Sequence, residues 1–253
     1  MRNRWVLAVA VIFTVFALII AYFGGAQQGT VGFRSIEFTI ASLVSLVIYL
    51  IPLIALILGF DAIVGERERG SLELLLSLPI TRLELLLGKY LGLAAALAFS
   101  TVTGFGLVAI VLAPNLDLNA LYHYFGFMLS SVLLGMAFLS LALMLSVFSS
   151  DRAGASGLAI GLWFFFVLVF DLLLGALVLT GGRYGGEIFP YLLLLNPADV
   201  FRILNIFTFD DVRTLYGLAT VFPSALAAPW LLTLMMLAWI AAPLGIAAWK
   251  FRK

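Results

Sequence analysis

The chain has 253 residues, of which 64% are hydrophobic and 11% charged, where a soluble domain of this size carries about 25% charged residues. A net charge of +1 gives no support to nucleic-acid binding, and the lack of any cysteine excludes disulfides, cysteine-based zinc sites and iron–sulfur ligation. What remains is a polytopic membrane protein.

An apolar run of roughly 20 residues crosses a bilayer as a helix at ~1.5 Å per residue. Six such runs occur, at about 5–23, 39–60, 90–113, 124–148, 156–180 and 225–249. They are continuously apolar rather than alternating, which favours helices over a barrel. The expected fold is therefore an all-α membrane protein, one transmembrane domain of six spans over 1–253. The first run follows Arg2 and Arg4 as a signal peptide would, but its length and the weak cleavage pattern at Gly24–Gln28 mark it as a retained helix.

Lys and Arg set the orientation. With the N-terminus inside, the inner segments hold Arg2, Arg4, Arg67, Arg69, Arg82, Lys89, Arg152, Lys250, Arg252 and Lys253, against Arg34, Arg183, Arg202 and Arg213 outside. Both termini are then cytoplasmic, in a multi-pass protein of the cytoplasmic membrane.

The charged segment between the second and third runs carries the most information. Asp61 closes the second span and Glu66, Arg67, Glu68 and Arg69 come after it. Gly70 breaks the helix and Ser71 can cap a new one. Leu72–Leu78 make about two turns with Glu73 near the favourable end of the dipole, and Pro79 stops them. Thr81 and Glu84 have the spacing of a capping box and open the third span. A short leucine-rich helix thus lies along the membrane surface, either anchored among headgroups or seated in a groove of a cytoplasmic protein.

Further along, Ser149–Ala155 forms a second short cytoplasmic link. Asp171 is the one charge inside a span, a costly placement that makes it a functional candidate by default. Its simplest role is a hydrogen bond to a neighbouring helix or at a dimer interface; the other is a cavity or cation path. In the long outer segment 181–224, Asn196-Pro197 offers an N-cap with proline at the first helical position, and Asp199 suits the first turn. Phe201, Leu204 and Phe207 alternate with Asp199, Arg202 and Asn205 at helical spacing, predicting an amphipathic helix at the outer interface. The segment is either a mere loop packed on the bundle or an outer gate or docking surface for an external partner.

Three tempting sites fail on geometry. Gly154-Ala155-Ser156-Gly157 has the form of an intramembrane protease motif, but His123, the one histidine, belongs to the opposite side of the membrane. Met128, Met136 and Met144 lie eight apart, about 80° off whole turns, so they line no single path. No phosphate-binding loop occurs, since Gly88-Lys89 lacks the upstream glycine and the following Ser or Thr.

The stretch GERERGSLELLLSLPITRLELLLGKYLG resembles the loop between the second and third helices of ABC-2-type permeases. Glu66, Gly70, Ser71, Leu72, Glu73, Pro79, Arg82, Gly88 and Lys89 fall on recurring positions of that family. FTIASLVSL at 38–46, FDAIVGE at 60–66, LWFFFVLVFDLLL at 162–174 and LLLLNPADVFRILN at 192–205 are similar to the branch that serves the copper sites of nitrous oxide reductase.

The resemblance implies that the short helix, with Leu75 and Leu76, is a coupling helix against a separate cytoplasmic ATPase. Ser150, Asp151 and Arg152 would form a second coupling contact. It implies a non-catalytic subunit without a cofactor or metal of its own, ATP and Mg being bound by the partner. It also implies a homodimer in membrane lipid, and an external copper-handling protein meeting Asn196, Pro197, Asp199, Phe201, Arg202 and Asn205. Family members usually carry an amphipathic segment before the first span, where this chain shows Met1-Arg2-Asn3-Arg4. An ABC exporter with another cargo fits the same pattern. A secondary transporter would call for an inverted repeat or several intramembrane charges, and neither is evident.

Overall fold

The computed structural model describes residues 36–112, 118–180, 182–206 and 226–252, together with positions 11, 15, 19 and 223. The expected first span at 5–23 and the segment before it lie almost wholly outside the described residues.

Every regular element among the described residues is a helix. In chain order these are α1 (Ile36–Gly59), α2 (Val64–Glu68), α3 (Ser71–Leu76), α4 (Arg82–Leu112) and α5 (Leu118–Phe148). Next come α6 (Arg152–Phe164), a π-helical turn (Phe165–Val169), α7 (Phe170–Thr180), α8 (Gly182–Leu193), α9 (Pro197–Ile206) and α10 (Pro229–Arg252). Five segments are long and apolar enough to cross a membrane: Ser42–Glu68, Arg82–Val111, Leu118–Phe148, Arg152–Thr180 and Pro229–Arg252. They correspond to the second through sixth predicted runs. The third begins eight residues earlier than predicted, because α4 carries Arg82, Glu84 and Lys89 on its first two turns.

The helix α5 is the axis of the bundle. Most of its apolar stretch is buried, whereas little of that in Arg152–Thr180 at the periphery is, and it packs on α1, α4 and α10. Lipid supplies no hydrophobic drive between helices, so packing and interhelical hydrogen bonds hold such a bundle together. Several of those bonds serve backbone carbonyls. Pro243 has no N–H to give the carbonyl four residues back, that of Trp239. The Ser140 hydroxyl of α5 donates to it at 3.1 Å. Tyr124 Oη donates to Phe105 O at 2.9 Å and Tyr90 Oη to Met136 O at 3.1 Å, tying α5 to α4 at two levels. Met128 lies in the core, with Met136 and Met144 packed against it, so ordinary packing accounts for all three.

The peripheral helix is irregular at its centre. At the π turn the Phe170 N–H donates to Phe165 O, five residues back instead of four, so one extra residue is accommodated in an otherwise α-helical rod. Phe166 lies at the midpoint of Arg152–Thr180, and its ring is buried against Phe138 and Trp239 at centroid distances of 6.0 and 5.6 Å.

Beyond Thr180 the chain turns back. Helix α8 runs against α7, and the turn after it reaches the middle of the bundle, where Trp239 Nε1 donates to Leu194 O at 3.2 Å. Helix α9 then packs on α10, α5, α1 and the π turn. Pro197, Ala198, Asp199, Val200, Phe201, Ile203, Asn205 and Ile206 are all buried. The predicted helix and its cap are present, but its predicted place at the interface is not. The polar stripe read as a water face meets polar partners from distant parts of the chain, so α8 and α9 form a re-entrant pair.

Candidate functional site

At one end of the bundle the charged segment 61–82, the link after α5 and the end of α10 meet. The backbone makes this possible at two glycines. Gly70 has φ of 69°, the left-handed conformation in which glycine is unpenalised, and it forms the N-cap of α3. A Cβ on Gly65 would fall 2.0 Å from Asp61 Oδ1, so only glycine lets that carboxylate fold back over α2.

Most of the charged side chains here bind helix ends of their own chain. The Ser146 hydroxyl accepts from the Ile63 and Val64 amides at 2.9 and 3.0 Å, satisfying the first turn of α2. Arg67 donates to Ser149 O at 2.9 Å and to Val147 O at 3.4 Å, closing the C-terminal end of α5. Glu68 Oε1 accepts from the Arg152 amide at 2.7 Å, and Asp151 Oδ1 accepts from the Gly154 amide at 2.7 Å, so two carboxylates cap α6. The Arg152 guanidinium forks onto Asp61, with Nε 2.6 Å from Oδ1 and Nη2 3.1 Å from Oδ2. Arg82 donates to Phe251 O at 3.1 Å at the end of α10. Glu66 pairs with Lys89. The predicted capping box is formed: Glu84 Oε2 accepts from the Thr81 amide at 2.7 Å, and the Glu84 amide donates to Thr81 Oγ1 at 3.2 Å.

One local expectation is corrected. Ser71 does not cap α3; its hydroxyl donates back to Glu66 O at 3.3 Å, and Gly70 takes the capping position. Helices this short leave room for a backbone conformation to replace a side-chain cap.

Of the residues named for the coupling contact, Glu66, Arg82, Asp151 and Arg152 are thus engaged within the chain. Leu72 is 8% exposed, and Leu75 and Leu76 are half-buried, so these three seat α3 on the bundle. The side chains that project are Leu74, 71% exposed, and Leu78, 54% exposed, with Glu73, Ser77 and Pro79 beside them. Leu74 and Leu78 lie four apart on the face opposite Leu72 and Leu76, a spacing present in the sequence. Below α3 is a cleft of about 540 Å³ lined by Leu72, Glu73 and Leu76, by Ser149 and Ser150, and by Arg67, Arg82 and Lys250.

The second site lies at mid-depth, around the turn into α9. Asn196 caps α9, its Oδ1 accepting from the Ala198 amide at 3.0 Å. Its Nδ2 donates to Phe166 O inside the π turn at 2.8 Å and to Asp199 Oδ2 at 2.9 Å. Arg202 bridges two carboxylates, with Nη1 2.6 Å from Asp199 Oδ1 and Nη2 3.0 Å from Asp171 Oδ2. Asn205 exchanges hydrogen bonds with the Ser130 hydroxyl of α5 at 3.0 and 3.1 Å. Asp171, expected to bond a neighbouring helix, therefore pairs with Arg202. Arg202 itself, expected on an amphipathic helix at the outer interface, packs within the bundle.

Asp199 is fully buried, whereas the Asp171 and Arg202 side chains stay 36% and 32% exposed. Asn196, Pro197, Phe201 and Asn205 are buried, so these residues line the interior of the chain. Ser156 donates to Ala153 O at the charged end, while His123 meets the Tyr122 ring edge-on on α5 toward the other. No cluster of three or more metal-ligating His, Cys, Asp or Glu side chains occurs among the described residues. The Phe166 link is the feature that sequence reasoning missed entirely.

Comparisons with known proteins agree over the full length. The profile of the family described as ABC-2 family transporter protein matches residues 1–253. The chain is 45% identical over 258 residues to a protein of Stutzerimonas stutzeri named "Probable ABC transporter permease protein NosY". It is 46% identical over 260 residues to a protein of the same name from Pseudomonas aeruginosa. Each match covers all of this chain and 94% of the relative. With five apolar spans and matches of this extent, the chain belongs to the ABC-2 transporter family, as a multi-pass inner-membrane permease subunit of an ABC transporter.

Proposed function

We propose that this permease transmits ATP-driven motion from a separate cytoplasmic ATPase, NosF-like, to an external copper-handling protein, NosD-like, in the maturation of nitrous oxide reductase. The observation that carries the coupling step is the division of labour in the charged segment. Charged side chains fasten the platform to the ends of α5, α6 and α10, and α3 presents Leu74 and Leu78 to a partner. A helix that offers a few apolar anchors to a groove is a familiar recognition mode. A mobile platform would dissipate the partner's motion, and this one is pinned at three helix ends. In this reading the charged end is cytoplasmic, as the Lys and Arg count favours, with six spans and both termini inside.

The subunit acts as a homodimer. Asp171 and Arg202 are about one third exposed in the single chain, yet they sit inside the apolar thickness. Ionised side chains at such depth face a bundle interior or a water-filled cavity, not lipid. A second copy set against α7 and α9 would provide that cover. The re-entrant pair then forms an outer wall or gate between the copies. ATP and Mg are bound by the partner, and this chain catalyses no reaction.

The copper assignment rests on similarity to proteins named NosY and on the LLLLNPADVFRILN segment. An ABC exporter subunit for another small or lipid-like cargo is the alternative. Two measurements decide. Co-purification should yield a stable complex with the ATPase subunit, abolished by Leu74→Asp; an intact, active chain that never binds one overturns the coupling reading. Deletion of the chain should leave nitrous oxide reductase short of copper; a fully loaded enzyme overturns the copper reading.

A further inference from the structure

We infer that the rod formed by α6, the π turn and α7 carries motion from the coupling end to the re-entrant pair, and that Asn196 is the positioning residue that makes the connection. This inference rests on the proposed coupling to a cytoplasmic ATPase.

The rod is fastened at both ends and in the middle, to different things. At the charged end its first amide is held by Glu68 and its first guanidinium by Asp61, both on the platform that bears α3. Displacement of the platform therefore reaches α6 through two direct contacts. At the midpoint the helical register slips by one residue. A π turn lacks one regular carbonyl-to-amide bond, and such turns mark places where a helix can change length or direction. Here Asn196 donates to a carbonyl in that turn, Phe166 O, with the same amide nitrogen that holds Asp199. Above the turn, Asp171 holds Arg202.

The re-entrant pair is thus attached to the rod at two points, by Asn196 to the Phe166 carbonyl within the slip and by Arg202 to Asp171 beyond it. Among the described residues, Asn205 to Ser130 and Leu194 O to Trp239 tie the pair to helices other than the rod. A change of register at Phe165–Val169 would withdraw the Phe166 carbonyl from Asn196 while Asp171 kept its hold on Arg202. The turn into α9 would then shift against α9's far end. The two attachments convert a movement along the rod into a tilt of α9.

The absence of native cysteine permits clean site-specific spin labelling. One double variant, Phe125→Cys with Tyr191→Cys, reports on the re-entrant end; another, Leu91→Cys with Leu158→Cys, reports on the charged end. All four side chains are exposed. Distances are measured in the complex with the ATPase, without nucleotide and with ATP trapped. Each pair is also measured in the Asn196→Ala background and in a chain lacking Leu168. That deletion takes one residue out of the π turn and should restore an unbroken α-helix, while Asn196→Ala is the milder test should the deletion fail to fold.

The expected result is a nucleotide-dependent shift at both ends in the parent chain. In Asn196→Ala the shift at the charged end persists, with ATPase binding intact, and the shift at the re-entrant end is reduced; in the deletion chain it is abolished. A shift confined to the charged end of the parent chain, or unchanged re-entrant shifts in both variants, overturns the inference and leaves the coupling reading standing. No shift at either end of an assembled complex overturns the coupling reading and the inference with it.

Discussion

The charged end and the mid-depth cluster use the same chemistry, an arginine on aspartates with amide and hydroxyl caps around it, under opposite conditions. Arg152 on Asp61 is close to solvent, with the arginine side chain 46% exposed. Arg202 on Asp199 has one partner that is 1% exposed. In water such a pair contributes at most about 1 kcal/mol, since both ions are well solvated when parted. Inside a low-dielectric bundle the same pair is held by the cost of leaving either ion alone. The first region can therefore tolerate many interchangeable charges and the second cannot lose one.

Arg202→Met should break the comparison most sharply. It leaves Asp199 and Asp171 facing one another with no cation between them, at a cost on the order of 3–5 kcal/mol for an uncompensated buried charge. Thermal unfolding in detergent should show a large fall in Tm, and Asp199→Asn in the same chain should recover a substantial part of it. A Tm indistinguishable from that of the parent would mean that the cluster is solvated after all.

Ser146→Ala probes an intermediate case, at the charged end but buried. Two amides, of Ile63 and Val64, lose their acceptor. Leaving buried donors unmet costs roughly 1–3 kcal/mol. The α2 amides should also exchange faster with deuterium than the α4 amides, since the loss is local. Unchanged exchange would show that water replaces the hydroxyl without cost.

Arg152→Ala belongs to the exposed class. It removes the fork on Asp61 and leaves the Arg152 backbone amide, which Glu68 caps, in place. The expected loss is below about 1 kcal/mol, shrinking further as salt is raised. A loss comparable to that of Arg202→Met would erase the distinction between the two regions.

The two regions also differed in how legible they were. At the charged end the short-range devices had local signatures: glycine before a leucine run, proline after it, and Thr81 three residues before Glu84. Local signatures survive because the bonds close within a few residues. The long-range staples, such as Arg67 on the end of α5 eighty residues away, had none. The mid-depth cluster was legible in its cap and in Asp171 as a charge needing a partner, but not in how its members meet. Asp199, Arg202 and Asn205 recur at helical spacing, and an amphipathic stripe normally means water. Arg202 and Asn205 find Asp171 and Ser130, and Asn196 finds Phe166 O, all distant in sequence, and no periodicity reveals that a polar stripe has found polar company. The π turn left no trace either, since LWFFFVLVF is apolar in any register. The span boundaries were right where charge ends a helix and short where it does not, as at Arg82.

Leu74→Asp should have the smallest effect on the fold and a large one on function, which makes it the sharpest separation of holding from transmitting. Leu74 is 71% exposed and touches little of its own chain, so its replacement should move stability by no more than about 0.5 kcal/mol. Leu72, on the opposite face of α3, is 8% exposed and anchors the helix; Leu72→Asp should instead unseat it and lower Tm. If α3 is the contact for the ATPase, Leu74→Asp abolishes complex formation at unchanged Tm, because a buried apolar anchor at an interface centre carries much of the binding energy. If α3 merely rests in headgroups, the same variant binds the ATPase as before, and the staples around it serve only to close the end of the bundle.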